Sequence, residues 1–167
     1  MAEILSDCIA ELVKNGVIAF VPSGNSMWPT LKNKKQSVIV KKKTERLKPF
    51  DVALYRRENG TNVLHRVMKV VNDGYIMCGD SQFTLEKVME DNVFGVMTEF
   101  YRGKRCVQVT DADYIAQVKR LFRHNGLRRF RVKAFYLRQR LIGFPIRVLR
   151  RIFRKKRKEN GEKDDRS

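Results

Sequence analysis

Apolar residues recur at helical spacing only towards the two ends of this chain. Ile4, Leu5, Ile9, Leu12 and Val13 share one face of a helix over residues 2–14, and Asn15-Gly16 supplies its stop signal. From Val17 the period changes to that of strands. VIAFV, SVIVKK, DVALYRR, NVLHRVMKVV, GYIMCGD, NVFGVMTEFY and RCVQVT are short runs rich in β-branched and aromatic residues. The turn sequences SGN, ENG, NDG and YRG separate them, and Glu58-Asn59-Gly60 and Asn72-Asp73-Gly74 carry hairpin chemistry. Seven such runs in succession predict a mainly β protein with a compact, mostly antiparallel domain.

Helical spacing returns at Asp111, and Gly126 reads as a break in it. Beyond the break, residues 127–142 place Leu127, Phe130, Ala134, Leu137 and Leu141 on one face, with Arg128, Arg129, Arg131, Lys133, Arg138 and Arg140 largely around it. Pro145 can open a further helical segment, with Val148, Leu149 and Ile152 on one side and arginines on the other. The expected organisation is an N-terminal amphipathic helix over 1–16, a β domain over 17–110, a basic amphipathic helical tail over 111–158, and a polar end over 159–167 with the composition of a disordered segment.

Composition sharpens this picture in two places. At 167 residues and 43% apolar content the chain is long enough for one domain with a real core. Its net charge is +18, and residues 119–158 hold 17 Lys and Arg with no Asp or Glu, so most of the excess lies in the tail. Such a segment is attracted to an anionic surface. Leu, Phe and Ile at helical spacing favour a membrane surface as the partner, with nucleic acid as the less favoured one.

The longest apolar run of the tail, LIGFPI at 141–146, falls far short of the roughly 20 residues a spanning helix needs. MAEILSDCIAELVK has acids where a signal peptide has bases. A cytoplasmic or peripheral membrane location is therefore expected. Cys8, Cys78 and Cys106 are odd in number, widely spaced and in no CxxC pair, which argues against a disulfide framework and a zinc site. No cofactor or metal is expected.

The string Pro22-Ser23-Gly24-Asn25-Ser26-Met27-Trp28-Pro29-Thr30-Leu31 holds the most chemistry. A serine in a Gly-containing turn after a strand can present its hydroxyl and its own backbone N–H on one side, as a nucleophile beside an oxyanion hole requires. The same residues also suit a polar turn capped by two serines, and spacing alone leaves both readings open.

Further strings follow in order. Ser23 to Leu31 resembles the nucleophile box of the signal peptidase I and LexA-like serine peptidases. Phe50-Asp51-Val52-Ala53-Leu54-Tyr55 resembles the strand that follows it, Val63-Leu64-His65-Arg66-Val67 the strand carrying the general base, and Cys78-Gly79-Asp80-Ser81 the Gly-Asp box. The resemblance spans residues 22–81 and leaves the tail uncovered. It implies Ser26 as nucleophile and His65 as base, at a position where the bacterial enzymes carry lysine and the endoplasmic-reticulum-type branch carries histidine. A histidine titrates near neutrality without special burial. Lys69 is the nearby lysine that could serve in its place.

By the same resemblance Asp80 orients His65, and Glu86 is the alternative acid. The Ser26 N–H forms the oxyanion hole together with the Asn25 amide or the Ser23 hydroxyl. Met27, with Trp28 and Pro29, lines the substrate groove or packs in the core. Some relatives have a serine two positions before the nucleophile, where this chain has Gly24.

The implied activity is that of a serine endopeptidase cutting signal or leader peptides in trans, at extended segments with small residues before the scissile bond, with the basic tail attaching it peripherally to a membrane. Two alternatives stand beside it: a catalytically inactive peptidase-like module holding nucleic acid or membrane, and a self-processing LexA-like regulator. The second is disfavoured, because no helix-turn-helix precedes the β domain and the chain contains no Ala-Gly dipeptide.

Overall fold

The computed structural model describes residues 2–123, 126 and 128–138. It divides into two units, residues 1–123 and 124–167. The first opens with helix α1 (Ala2–Asn15). Eight strands follow: β1 (Val17–Phe20), β2 (Val38–Lys42), β3 (Val52–Arg56), β4 (Asn62–Val71), β5 (Gly74–Cys78), β6 (Glu86–Met89), β7 (Val93–Arg102) and β8 (Arg105–Gln108). Helix α2 (Ala112–Arg123) closes the unit. The protein is mainly β, as the hydrophobic pattern predicts.

Every strand pairing is antiparallel. The order across the sheet is β1-β2-β7-β3-β4-β5-β6, with β8 added alongside β7. Seven of the eight strands coincide with the runs read from the sequence. The eighth, β6, has the sequence Glu-Lys-Val-Met and buries only Val88 among its four residues. Being short and at the end of the sheet order, it needs a single inward side chain and leaves no readable alternation.

Central strand β3 is buried on both faces, and its alternation divides the interior in two. Val52 and Leu54 join one core with Ile9 and Leu12 of α1, Val38, Val40, Met97 and Phe100. Ala53 and Tyr55 join the other with Val67, Tyr75, Met77 and Val88. Helix α1 approaches β7 at Gly95, where a Cβ would stand 2.7 Å from the Leu12 side chain and 2.6 Å from that of Val40. Only glycine allows that contact. Helix α2 buries Tyr114 and Val118, and the Tyr114 ring lies 5.7 Å from that of Phe100.

In the second unit the described backbone at 128–138 is helical, as expected, and so is that of Gly126, which read as a break. Phe130 and Leu137 of the expected apolar stripe are 69% and 58% exposed, whereas Val132 is buried. Leu127, Leu141, the segment after Pro145 and the polar end lie outside the described residues. Among the described residues no helix is long and apolar enough to cross a membrane.

Candidate active site

The loop between β1 and β2 carries Ser26. Gly24 takes a φ of +101°, a conformation that L side chains rarely adopt, and its N–H is held by the Asn33 side chain at 2.9 Å. The Trp28 N–H donates to the Asn25 carbonyl and the Leu31 N–H to that of Met27, which closes two successive turns around Ser26.

A second segment clamps this one. The Ser81 N–H donates to the Ser26 carbonyl at 2.8 Å, and the Ser81 hydroxyl lies 2.7 Å from the Asn25 carbonyl and 3.1 Å from that of Ser26. Gly79 permits the approach, since a Cβ there would stand 2.7 Å from the Ser26 carbonyl oxygen. The Gly79-Asp80-Ser81 box therefore fixes the backbone of the candidate nucleophile.

Ser26 and His65 line one groove of about 690 Å³. Phe20, Met27, Leu31, Leu54 and Leu64 give it apolar walls, and Lys32, Lys34 and Arg57 are the charged residues in its lining. Ser23 also lines it, whereas Asn25 does not. Met27 belongs both to the groove and to the first core, so its two expected roles coincide. Lys69 is exposed on β4 and is not part of the groove lining.

Strand register sets the surroundings of His65. It pairs with Ala53 across β3 and β4, which puts Tyr55, two residues further along β3, on the same face as its diagonal neighbour. The Tyr55 hydroxyl is 3.0 Å from His65 Nδ1 and donates to Glu86 Oε2 at 2.9 Å. Arg57 grips that carboxylate twice, through Nε at 2.7 Å and a terminal nitrogen at 2.6 Å. The hydrogen bonds from Arg57 hold Glu86 below the usual carboxylate range. Burial, and then the Glu86 hydrogen bond, push the Tyr55 phenol up.

His65 is 2% exposed. Burial foremost, helped by the Arg57 charge, lowers its imidazole to about 4, against the opposing pull of Glu86 and Asp80. The near-neutral titration expected from sequence gives way to a ring that is neutral throughout the physiological range.

The resemblance implies that Asp80 orients His65; in the structure its carboxylate is held by Arg66 and Thr30. That carboxylate receives Arg66 Nε and a terminal Arg66 nitrogen, each at 2.7 Å, and the Thr30 hydroxyl. Both partners of this ion pair are fully buried. Register explains the pairing: Cys78 stands opposite Arg66, and Asp80, two residues on, emerges on the same side. Arg66 also donates to the Phe50 carbonyl and the Tyr114 hydroxyl. Burial disfavours its charge, but the attraction and hydrogen bonds of Asp80 outweigh that cost and leave its pKa raised.

The acid nearest His65 by hydrogen bonds is thus Glu86, reached through Tyr55, while Asp80 acts on the ring by its charge. Sequence reasoning named Glu86 as an alternative and missed Tyr55, Arg57 and Arg66. The period of two along β3 was the available signal for Tyr55. Among the described residues no group of three His, Cys, Asp or Glu side chains converges as a metal centre would need. No protein-family model matches the chain, and no curated protein matches it.

Proposed function

We propose that this chain is a serine endopeptidase of the signal peptidase type, acting in trans on signal or leader peptides with Ser26 as nucleophile and His65 as base. The observation that carries the reading is the convergence of Ser26 and His65, 39 residues apart in sequence, on one groove with apolar walls. A neutral imidazole can take the Ser26 proton as Oγ attacks the scissile carbonyl. The oxyanion is received by the Ser26 N–H, in a loop whose backbone the Gly79-Asp80-Ser81 box already holds. The imidazolium then returns its proton to the leaving amine, and water releases the acyl group by the same steps in reverse.

The groove suits an extended peptide, and the four resembling boxes favour small residues before the scissile bond. Membrane substrates would be met through the basic tail, lying on an anionic surface with Phe130 and Leu137 exposed. A fluorophosphonate probe tests the activity. It should label the full chain at Ser26, and both the label and peptide cleavage should be lost in a folded Ser26→Ala variant. A folded wild-type chain that takes no label at Ser26 and cuts no peptide would overturn the proposal in favour of a binding module.

A further inference from the structure

The phenol between His65 and Glu86 holds one proton, and its neighbours determine where that proton points. Glu86 is doubly bonded to Arg57 and is therefore an ionised carboxylate, which can only accept. The Tyr55 O–H accordingly donates to Glu86, at 2.9 Å. The phenol oxygen then faces His65 Nδ1, at 3.0 Å, with a lone pair, and the contact is a hydrogen bond only if Nδ1 carries the ring proton.

We propose that Tyr55, anchored by Glu86 and Arg57, is a positioning residue that fixes the His65 proton on Nδ1 and leaves Nε2 bare as the acceptor for the Ser26 proton. The use made of Nε2 rests on the Ser26/His65 reading above; the choice of tautomer rests on geometry alone. In the acylation step the Ser26 O–H bond breaks, Oγ bonds the carbonyl carbon, and the proton moves to Nε2. Nδ1–H stays bonded to the phenol throughout. The phenol keeps its own proton, donated to Glu86, so a single proton moves and no charge is relayed.

The arrangement also places the Glu86 carboxylate, paired with Arg57, behind the buried ring. Facing His65 are Tyr55 from β3, Arg57 just past β3, Glu86 from β6 and Asp80 from the segment after β5. Arg57 opposes the imidazolium, whereas Glu86 and Asp80 favour it. Glu86 transmits its effect through Tyr55, so a phenol can fill a place that an acid usually fills.

The chain has only two histidines, His65 and His124. Long-range proton–nitrogen spectra of the nitrogen-labelled full-length protein therefore resolve the tautomer directly, with His124→Gln assigning the signals. Wild type at pH 7 should show a protonated Nδ1 and a bare Nε2 at His65. Tyr55→Phe should lose that fixed preference and lower kcat about 10- to 100-fold with KM changed less than about twofold. Glu86→Ala, which removes the carboxylate that orients the phenol, should weaken the tautomer preference and lower kcat.

A wild-type His65 protonated on Nε2 would overturn the proposal, as would a Tyr55→Phe protein with the wild-type spectrum and kcat. Should Tyr55→Phe not fold, Glu86→Ala decides, and a wild-type His65 spectrum in that variant would count against the proposal. Undiminished turnover by a folded Ser26→Ala variant would instead remove Ser26 as the nucleophile and leave the spectra to judge the tautomer.

Discussion

His65 and Arg66 are neighbours on β4 and face opposite sides of the sheet, so each belongs to a separate polar network. His65 meets Tyr55 and, through it, Glu86 and Arg57. Arg66 meets Asp80, Thr30 and Tyr114 on the other side. The first network tunes a ring that opens on the groove. The second is a buried strut, tying β4 to the box that holds Ser26 and to α2.

The pH dependence follows from the depressed His65. With the free ring titrating at about 4, kcat/KM should stay flat through pH 6 and fall only as pH drops towards 4. A limb centred near 6.5 would mean that the base is not this buried ring. Stability changes in an adjoining window. The unfolded ring takes its proton near 6.5 and the folded one only near 4, so the unfolded state binds more protons between those values. This contribution is fully present above about pH 6.5 and is lost as pH falls towards 4. Glu86, also depressed, adds a loss beginning nearer its own unfolded value. Melting temperatures from pH 7.5 to 4 should decline accordingly, and the part between 6.5 and 5 should shrink in His65→Gln.

The Arg66–Asp80 pair should behave as a structural element. Asp80→Asn leaves a buried guanidinium without its counter-charge and should destabilise the protein by about 3–5 kcal/mol in denaturant melts. Arg66→Met should cost a comparable amount, and the double variant should cost clearly less than the sum. Additive losses would show that the two side chains do not act as a pair.

Gly79→Ala probes the clamp on Ser26 without removing a polar group. Its Cβ would stand 2.7 Å from the Ser26 carbonyl oxygen, which is backbone and cannot swing away. The loop must shift, at a stability cost of about 1–3 kcal/mol. Labelling of Ser26 by the fluorophosphonate should slow at least tenfold while the circular dichroism spectrum stays that of a β protein. Wild-type labelling kinetics would show that Ser26 does not depend on this box.

The tail hypothesis is tested by vesicle flotation of the full chain. Binding to anionic vesicles should exceed binding to neutral ones and weaken with added salt. Phe130→Ser with Leu137→Ser leaves net charge unchanged, and it should reduce binding because both side chains are exposed. If the double variant binds as well as wild type, apolar burial plays no part and charge alone holds the tail. That result would favour nucleic acid as the partner, which a steep salt slope on DNA or RNA would identify.

The sequence by itself determined most of the elements, because hydrophobic period and turn chemistry are local properties. The stop at Asn15-Gly16, the two hairpins and seven of the strands were legible for that reason, as was Ser26 in its turn. Strand β6 was not, since one inward valine makes no pattern. Which side chains meet His65 was decided by tertiary structure alone. Register across β3, β4 and β5 assigns Tyr55 to His65 and Asp80 to Arg66, and a pairing shifted by one residue would send each of them to the opposite face. The charge state of His65 has the same origin. Burial and the distances to Arg57, Glu86 and Asp80 set it, and none of these is a property of the residues adjacent in the chain.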